Sequence, residues 1–278
     1  MQFEYPWALG PEPGRYTIRE HLGEGVRFVL VLSTLGAAQR RLLPRRGRAT
    51  DAPSQPAPTP VVTSRATLVD SAEPLDGHAA QRWLREADLN ALAADALARL
   101  NRVLHAHRVA SADPSAREVA IGQALVARVG YGDGERVADG RWDRATELPR
   151  RTGRRGERPA ALRAQERLAA LLTAQDPVLA CEELTLRARS DVDAGRWREA
   201  ALQLRVALDA ALGELEPWRE QAGLDQRLHE LRRLRAGAVA AADAALDGGL
   251  EAAHIATVRH ALGRVESALR ARTARGIA

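Results

Sequence analysis

The chain has 278 residues, of which 45% are hydrophobic and 28% are charged, with a formal net charge of +5. This hydrophobic share excludes wholesale disorder, and the length allows two modest domains. The single cysteine, Cys181, excludes an intramolecular disulfide and a cysteine metal cluster, and it is typical of a reducing compartment. The longest apolar run, residues 28–35, is far shorter than the roughly 20 residues that span a bilayer. The first dozen residues lack the pattern of a signal peptide, so we expect a cytoplasmic protein.

Basic charge is concentrated in two short segments, and every basic residue is an arginine. Segments 40–48 and 150–158 carry net charges of +5 and +4, so the rest of the chain carries −4. A nucleic acid, an anionic membrane surface or an acidic protein are therefore candidate partners. The segments lack the interleaved aromatic side chains that stack on unpaired bases, which favours solvated linkers over a nucleic-acid site. The candidate anion contacts are Arg40, Arg41, Arg45, Arg46, Arg48, Arg150, Arg151, Arg154, Arg155 and Arg158.

The first 43 residues predict a β-hairpin region. Residues 15–21 and 26–35 are rich in β-branched and apolar side chains, and the glycines of "LGEG" (22–25) suit a hairpin turn between them. The second run is apolar on both faces, which predicts a central, covered strand. Residues 44–60 contain five prolines and predict a flexible insertion, after which 64–70 predict a third strand.

Helical periodicity begins in region 61–148, at Asp76. Residues 76–110 keep helical spacing, with Asp88 as a cap at a break near the middle. Residues 113–130 predict a further helix that begins at Asp113 and Pro114 and is closed by Gly130. On such a helix one apolar face would carry Ile121, Leu125 and Val129.

The C-terminal part, 159–278, predicts an all-helical bundle that follows an arginine-rich linker at 149–158. The expected helices are 159–173, 177–194, 197–213, 217–246 and 250–273, and their short connections indicate mostly antiparallel neighbours. The predicted fold class is therefore mainly α (α+β), with a small N-terminal antiparallel sheet followed by a helical bundle.

One hairpin within this bundle has a distinctive pattern of small and large side chains. The residues that carry the pattern are Leu184, Ala188, Gly195, Trp197, Ala200, Leu204 and Ala207. Residues 181–214 thereby resemble one tetratricopeptide repeat, a helix-turn-helix unit of about 34 residues. The resemblance implies that Gly195 forms the turn and that Trp197 packs between helices. Leu212 replaces the usual closing proline and Arg187 an apolar residue, which argues against a following stacked repeat.

A short sequence from this hairpin occurs a second time, in part, in the N-terminal half. "GRWDRA" (140–145) and "GRWREA" (195–200) share the glycine, arginine, tryptophan and alanine. Three glycines in residues 130–134 precede the first copy, and each costs about 1 kcal/mol in a helix interior. An array normally needs about three repeats, so we expect a bundle with one repeat-like hairpin.

Catalytic and metal-binding patterns are weak. "GYGDG" (130–134) has neither the glycine spacing nor the Lys-Ser/Thr pair of a nucleotide loop, and the segment before it reads as a helix where such a loop needs a strand. His105 and His107 are two positions apart, so on a helix they point in different directions and cannot share a metal. The spacing between Arg102 and His107 resembles the Arg-to-His spacing of HEPN-type helical ribonucleases, and the resemblance implies that the two residues act as a general acid/base pair.

The remaining titratable groups also have simple interpretations. The pairs Glu182–Glu183 and Asp191–Asp193 are expected to be solvating charge on helix surfaces. Adjacent carboxylates raise the pKa of a thiol, which argues against Cys181 as a nucleophile.

With no converging catalytic set, no cofactor is expected, and we expect a non-enzymatic protein-interaction or scaffold module whose partner docks on the helical half. The alternatives are a nucleic-acid-associated protein that uses the arginine segments and, more remotely, a HEPN-like ribonuclease. The sequence is compatible with a homo-oligomer.

Overall fold

A computed structural model describes residues 1–19, 25–36, 61–71, 74–149 and 158–273, with the backbone alone for 158–163. The chain divides into two compact units, Met1–Thr152 and Gly153–Ala278. The insertion expected at 44–60 and most of the linker expected at 149–158 lie outside the described residues, as does most of the turn expected at 22–25.

The N-terminal unit is built on a six-stranded antiparallel sheet in the order β2-β3-β4-β1-β5-β6. The strands are β1 (Gln2–Tyr5), β2 (Gly14–Ile18), β3 (Phe28–Leu35), β4 (Thr63–Asp70), β5 (Val126–Tyr131) and β6 (Arg144–Glu147). The three predicted strands correspond to β2, β3 and β4, and β3 lies inside the sheet as expected. The sequence pattern did not predict β1, which pairs with β4 on one side and β5 on the other.

Two helices pack on one face of this sheet. They are α1 (Gly77–Glu86) and α2 (Leu89–Ser111), and the side chain of Asp88 accepts hydrogen bonds from the first backbone N–H groups of α2. The predicted break at Asp88 is thus confirmed. Phe3 and Tyr5 of β1 share a buried cluster with Leu100 and Leu104 of α2, because alternate strand residues point to the helical face.

The helix predicted at 113–130 is wrong. Asp113 caps only a turn, accepting from the backbone N–H of Ser115 at 2.8 Å, and the segment continues through a 3₁₀ turn at Ile121–Gln123 into β5. Gly130 lies inside β5 and not in the left-handed region, where it was expected to end a helix. The three residues of the expected apolar face separate: Val129 is buried, whereas Leu125 is exposed.

The short helix α3 (Gly134–Ala138) and the loop after it lie on the other face of the sheet. Arg65 of β4 donates to the backbone carbonyl of Asp139, and Gly140 comes so close that a Cβ would lie 2.7 Å from the Arg65 guanidinium. Gly140 has a φ of 79°, and Gly195 in the other unit has a φ of 72°. Both glycines end a helix in the same way, because the backbone N–H of the following arginine donates a hydrogen bond back to a carbonyl of that helix. The two "GRW" copies then differ, since the first leads into β6 and the second into the next helix of the C-terminal unit.

The C-terminal unit contains α4 (Arg158–Leu172), α5 (Ala180–Asp193), α6 (Trp197–Glu214), α7 (Leu224–Leu246) and α8 (Ala252–Thr273). The five predicted helices are confirmed. Three begin later than expected. Leu179 occupies the N-cap position of α5, a 3₁₀ turn at Glu216–Trp218 and the left-handed Gly223 precede α7, and α8 begins at Ala252 instead of residue 250.

Helices α5 to α8 form a closed four-helix bundle. Each packs on the next, and α8 returns to pack on α5. The two run antiparallel, since Arg189 of α5 binds Glu266 of α8 whereas Arg272 binds back to Glu182. The core is made mainly of leucine and alanine with a few valines, and alanines allow the close approach of helices. The protein is α+β and mainly helical, and none of its described helices is long and apolar enough to cross a membrane.

Candidate docking surface on the helical unit

Helix α4 is much less buried than the helices of the bundle. Among residues 164–172 only Ala170 is buried. Leu168 and Leu172 lie four residues apart and are 46% and 78% exposed. Because positions four apart share one face of a helix, these leucines and the exposed Ala164 form a continuous row, which we call the α4 stripe.

A group of four charged side chains attaches α4 to the bundle. Arg167 of α4 donates to Asp176, in the loop before α5, at 3.2 Å and to Glu182 of α5 at 2.5 Å. Arg272, near the end of α8, donates to the same two carboxylates. We call this group the arginine clasp: Arg167, Asp176, Glu182 and Arg272.

The clasp is largely removed from water. The Arg272 side chain is 4% exposed, the two carboxylates are about equally covered at 15% and 14%, and the Arg272 guanidinium lies 4.4 Å from the ring centre of Trp218. Burial opposes the charge on Arg167, but hydrogen bonds and Coulomb attraction from Glu182 and Asp176 outweigh it and raise the pKa of the guanidinium. The clasp thus fixes the C-terminal end of α4 and leaves the α4 stripe facing solvent.

Two further exposed apolar side chains lie near this corner of the unit. Val178, in the loop between α4 and α5, is 71% exposed, and Leu186, one turn beyond Glu182 on α5, is 67% exposed. The sequence pattern did not indicate these residues, the α4 stripe or the ion pairs of the clasp. The sequence predicts a helix at 159–173, but it does not tell which face of that helix the bundle leaves open.

Cys181, at the start of α5, is not a reactive thiol. Burial, followed by the neighbouring Glu214, raises its pKa to about 12. The Glu214 carboxylate of α6 accepts hydrogen bonds from the backbone N–H groups of Ala180 and Cys181 at 3.2 and 2.9 Å, so it caps the first turn of α5. These contacts give both side chains a structural role.

The residues of the predicted tetratricopeptide-like hairpin pack inside their own bundle. Four of them are completely buried, namely Ala188, Ala200, Leu204 and Ala207. Leu184 and Trp197 are half-buried, and the Arg259 guanidinium of α8 lies 4.6 Å from the ring centre of Trp197. The residues that carry the pattern therefore offer little free apolar surface, and the exposed apolar side chains of the hairpin, Leu186 and Val206, lie outside the pattern.

Nine of the ten arginines predicted as anion contacts lie outside the described residues: Arg40, Arg41, Arg45, Arg46, Arg48, Arg150, Arg151, Arg154 and Arg155. The tenth, Arg158, begins α4, and its side chain also lies outside them.

The suggested acid/base pair does not converge. Arg102 is exposed on α2, and His107 packs against Gly10. Residues five apart on a helix point about 140° away from each other, so the two side chains face different directions. His105, two residues before His107, has its Nδ1 atom 4.0 Å from a carboxylate oxygen of Glu118.

Two carboxylates expected to be solvating charge are instead bound. Glu182 belongs to the clasp, and Asp191 binds Arg196 at 2.7 Å with both side chains mostly covered. Their partners Glu183 and Asp193 are exposed, as expected. Helix periodicity places these acids on the helix surface but does not show which surface another helix or turn covers.

Other possible sites are weak. The strand that a phosphate loop requires does precede "GYGDG", contrary to the sequence interpretation, but the helix after it has only five residues. A shallow, open concavity on α7 is lined by Asp225, Gln226, His229, Arg232 and Arg233. Over the described residues, no group of three histidine, cysteine or acidic side chains could hold a metal ion.

Comparison with protein-family models, with curated proteins and with solved structures finds no match to this chain.

Proposed function

We propose that this chain is a non-enzymatic, cytoplasmic protein-interaction module whose helical unit binds a protein through the α4 stripe. The observation that carries the proposal is the pair of leucines, Leu168 and Leu172, exposed on a helix that the arginine clasp fixes in place. A rigid helix with apolar anchors one turn apart is a common way to bind another protein.

The energetic reason is the apolar surface that a partner would cover. Fully burying a leucine side chain is worth about 1.5–3 kcal/mol, and the two leucines retain 46% and 78% of their exposure for a partner to remove. Single exposed leucines are common, but two in one row on one helix face form a patch rather than scattered residues.

The other surfaces of the helical unit offer less to a partner. Three of its helix–helix grooves, α5–α8, α6–α7 and α7–α8, are bridged by the chain's own ion pairs, namely Arg189–Glu266, Arg205–Asp243, Arg235–Asp209 and Arg264–Glu230. A partner in these grooves would have to break such pairs. The proposed role of the tetratricopeptide-like hairpin is accordingly to pack within the bundle, and not to provide the binding groove.

The test compares what full-length chains capture from a native lysate. The stripe variant carries Leu168→Glu and Leu172→Glu, and the control carries Val206→Glu at a residue of α6 that is 54% exposed. We expect a protein that the wild type and the control retain and the stripe variant loses. A set of captured proteins that is identical for all three chains would refute the proposal.

A further inference from the structure

Helix α4 is attached to the α5–α8 bundle differently from the way those four helices are attached to one another. Each of α5 to α8 contributes fully buried side chains to one common apolar cluster. Neither Ala170 nor Leu171 of α4 belongs to that cluster. Ala170 is buried, but the turn after α4 folds back on it, since its backbone carbonyl accepts hydrogen bonds from the N–H groups of Gln175 and Asp176. The described side chains of α4 therefore add little to the apolar core of the bundle.

A polar contact supplies the attachment instead. Among residues 164–172, Arg167 makes the side-chain hydrogen bonds to the bundle that the structure describes, and it donates to Glu182 of α5 at 2.5 Å and to Asp176 in the turn at 3.2 Å. Only the bond to Glu182 joins α4 to a helix of the bundle. Burial of the Arg167 side chain is incomplete, because 30% of it remains exposed.

The clasp is built so that Arg167 can leave it at low cost. Arg272 of α8 donates to the same two carboxylates, Asp176 and Glu182. Each carboxylate therefore keeps a cationic partner when Arg167 moves into water. The large penalty for an unpaired charge away from solvent arises only when Arg272 is removed, and not when Arg167 is.

The turn between α4 and α5 provides a point at which α4 can move. Ala174 has a φ of 56°, in the left-handed region that disfavours residues with a side chain, so the docked turn carries a conformational cost. Pro177 and Val178, the next residues before the cap of α5, are exposed. A helix of 15 residues such as α4 is marginal in water without tertiary contacts, so α4 loses order when it leaves the bundle.

We propose that α4 is a releasable arm, which Arg167 docks on the helical unit and which opens while the α5–α8 bundle stays folded. Opening withdraws the α4 stripe, because Leu168 and Leu172 form one row only while α4 is helical. The release does not depend on the proposed function. Its consequence, that the clasp switches protein binding on and off, rests on the proposed function.

Hydrogen exchange of the purified full chain tests the release with no partner present. We expect amides of residues 164–172 to exchange at least roughly a hundredfold faster than buried amides of α6 and α7. Arg167→Ala should accelerate exchange in 164–172 about tenfold further and leave α6 and α7 within about twofold of the wild type. The control is Arg187→Ala, which should change neither, because the side chains of its pair with Glu183 on α5 are 59% and 56% exposed.

Three results of this experiment would overturn the inference. The first is equal protection of α4 and the bundle, and the second is equal acceleration of both by Arg167→Ala. The third is the same exchange in α4 for Arg167→Ala and Arg187→Ala.

A distance measured between two spin labels tests the movement itself. Leu168→Cys and Val206→Cys place one label on α4 and one on α6 at exposed positions, and the native Cys181 is buried. We expect a defined distance in this chain and a broad distribution after Arg167→Ala but not after Arg187→Ala. An unchanged distribution would overturn the inference. Capture of no stripe-dependent protein by a chain whose α4 behaves as expected would refute only the proposed function.

Discussion

Replacing Arg272 with alanine should strongly destabilise the helical unit. The guanidinium binds Asp176 and Glu182, and it is one of the most buried charged groups among the described residues. Removing it leaves two mostly covered carboxylates with a single cationic partner, Arg167. A carboxylate that loses its partner away from water suffers most of its desolvation cost.

The magnitude follows from three contributions. Breaking a buried ion pair costs about 3–5 kcal/mol, and we take roughly 3 because Arg167 still binds both carboxylates. Loss of the stacking contact with Trp218 adds about 1 kcal/mol. Removal of the Nε atom of Arg272, which is buried with no hydrogen-bond partner among the described residues, returns about 1 kcal/mol. The net cost is about 3 kcal/mol.

Hydrogen exchange of buried amides in α6 and α7 measures this cost in the full chain without interference from the other unit. Arg272→Ala should accelerate exchange of these amides roughly a hundredfold. The control is Arg205→Ala, because the Arg205–Asp243 pair has side chains that are 41% and 57% exposed and should be worth less than about 1 kcal/mol. Equal acceleration by the two variants would refute the argument that burial makes the clasp important.

Two further predictions concern other parts of the chain. Gly130→Ala should destabilise the N-terminal unit by at least about 2 kcal/mol, because its Cβ would lie 2.4 Å from a carbonyl oxygen of β6. Gly134→Ala has open space around the new Cβ and should be nearly neutral, and the rates of amide exchange in β1 and β5 compare the stabilities of the two variants. Cys181, with its pKa raised to about 12, should resist alkylation at pH 8 in the folded protein and react only in denaturant; labelling at the rate of a free thiol would contradict this.

The sequence predicts helices well where local signals mark their ends. Asp88 and Gly195 are such signals, because a side-chain cap and a left-handed glycine act on neighbouring backbone groups. It fails at 113–130, where apolar residues at intervals of four fit a helix by coincidence. There the pairing of β5 with β1, more than a hundred residues away, determines the structure.

The candidate surface depends on contacts that local patterns do not contain. Arg272 and Asp176 are 96 residues apart, and neither position indicates that the other binds it. The exposure of Leu168 likewise depends on how α4 meets the bundle. The sequence therefore predicts the helix at 159–173 but not the face that remains open.

The measurement that tests the central claim most directly is photo-crosslinking in cells, with a photoreactive amino acid at position 168 of the full chain and a control at position 206. The account predicts protein adducts from position 168 and few from position 206. No adduct from position 168 above the control would contradict the claim that the α4 stripe is a protein-binding surface.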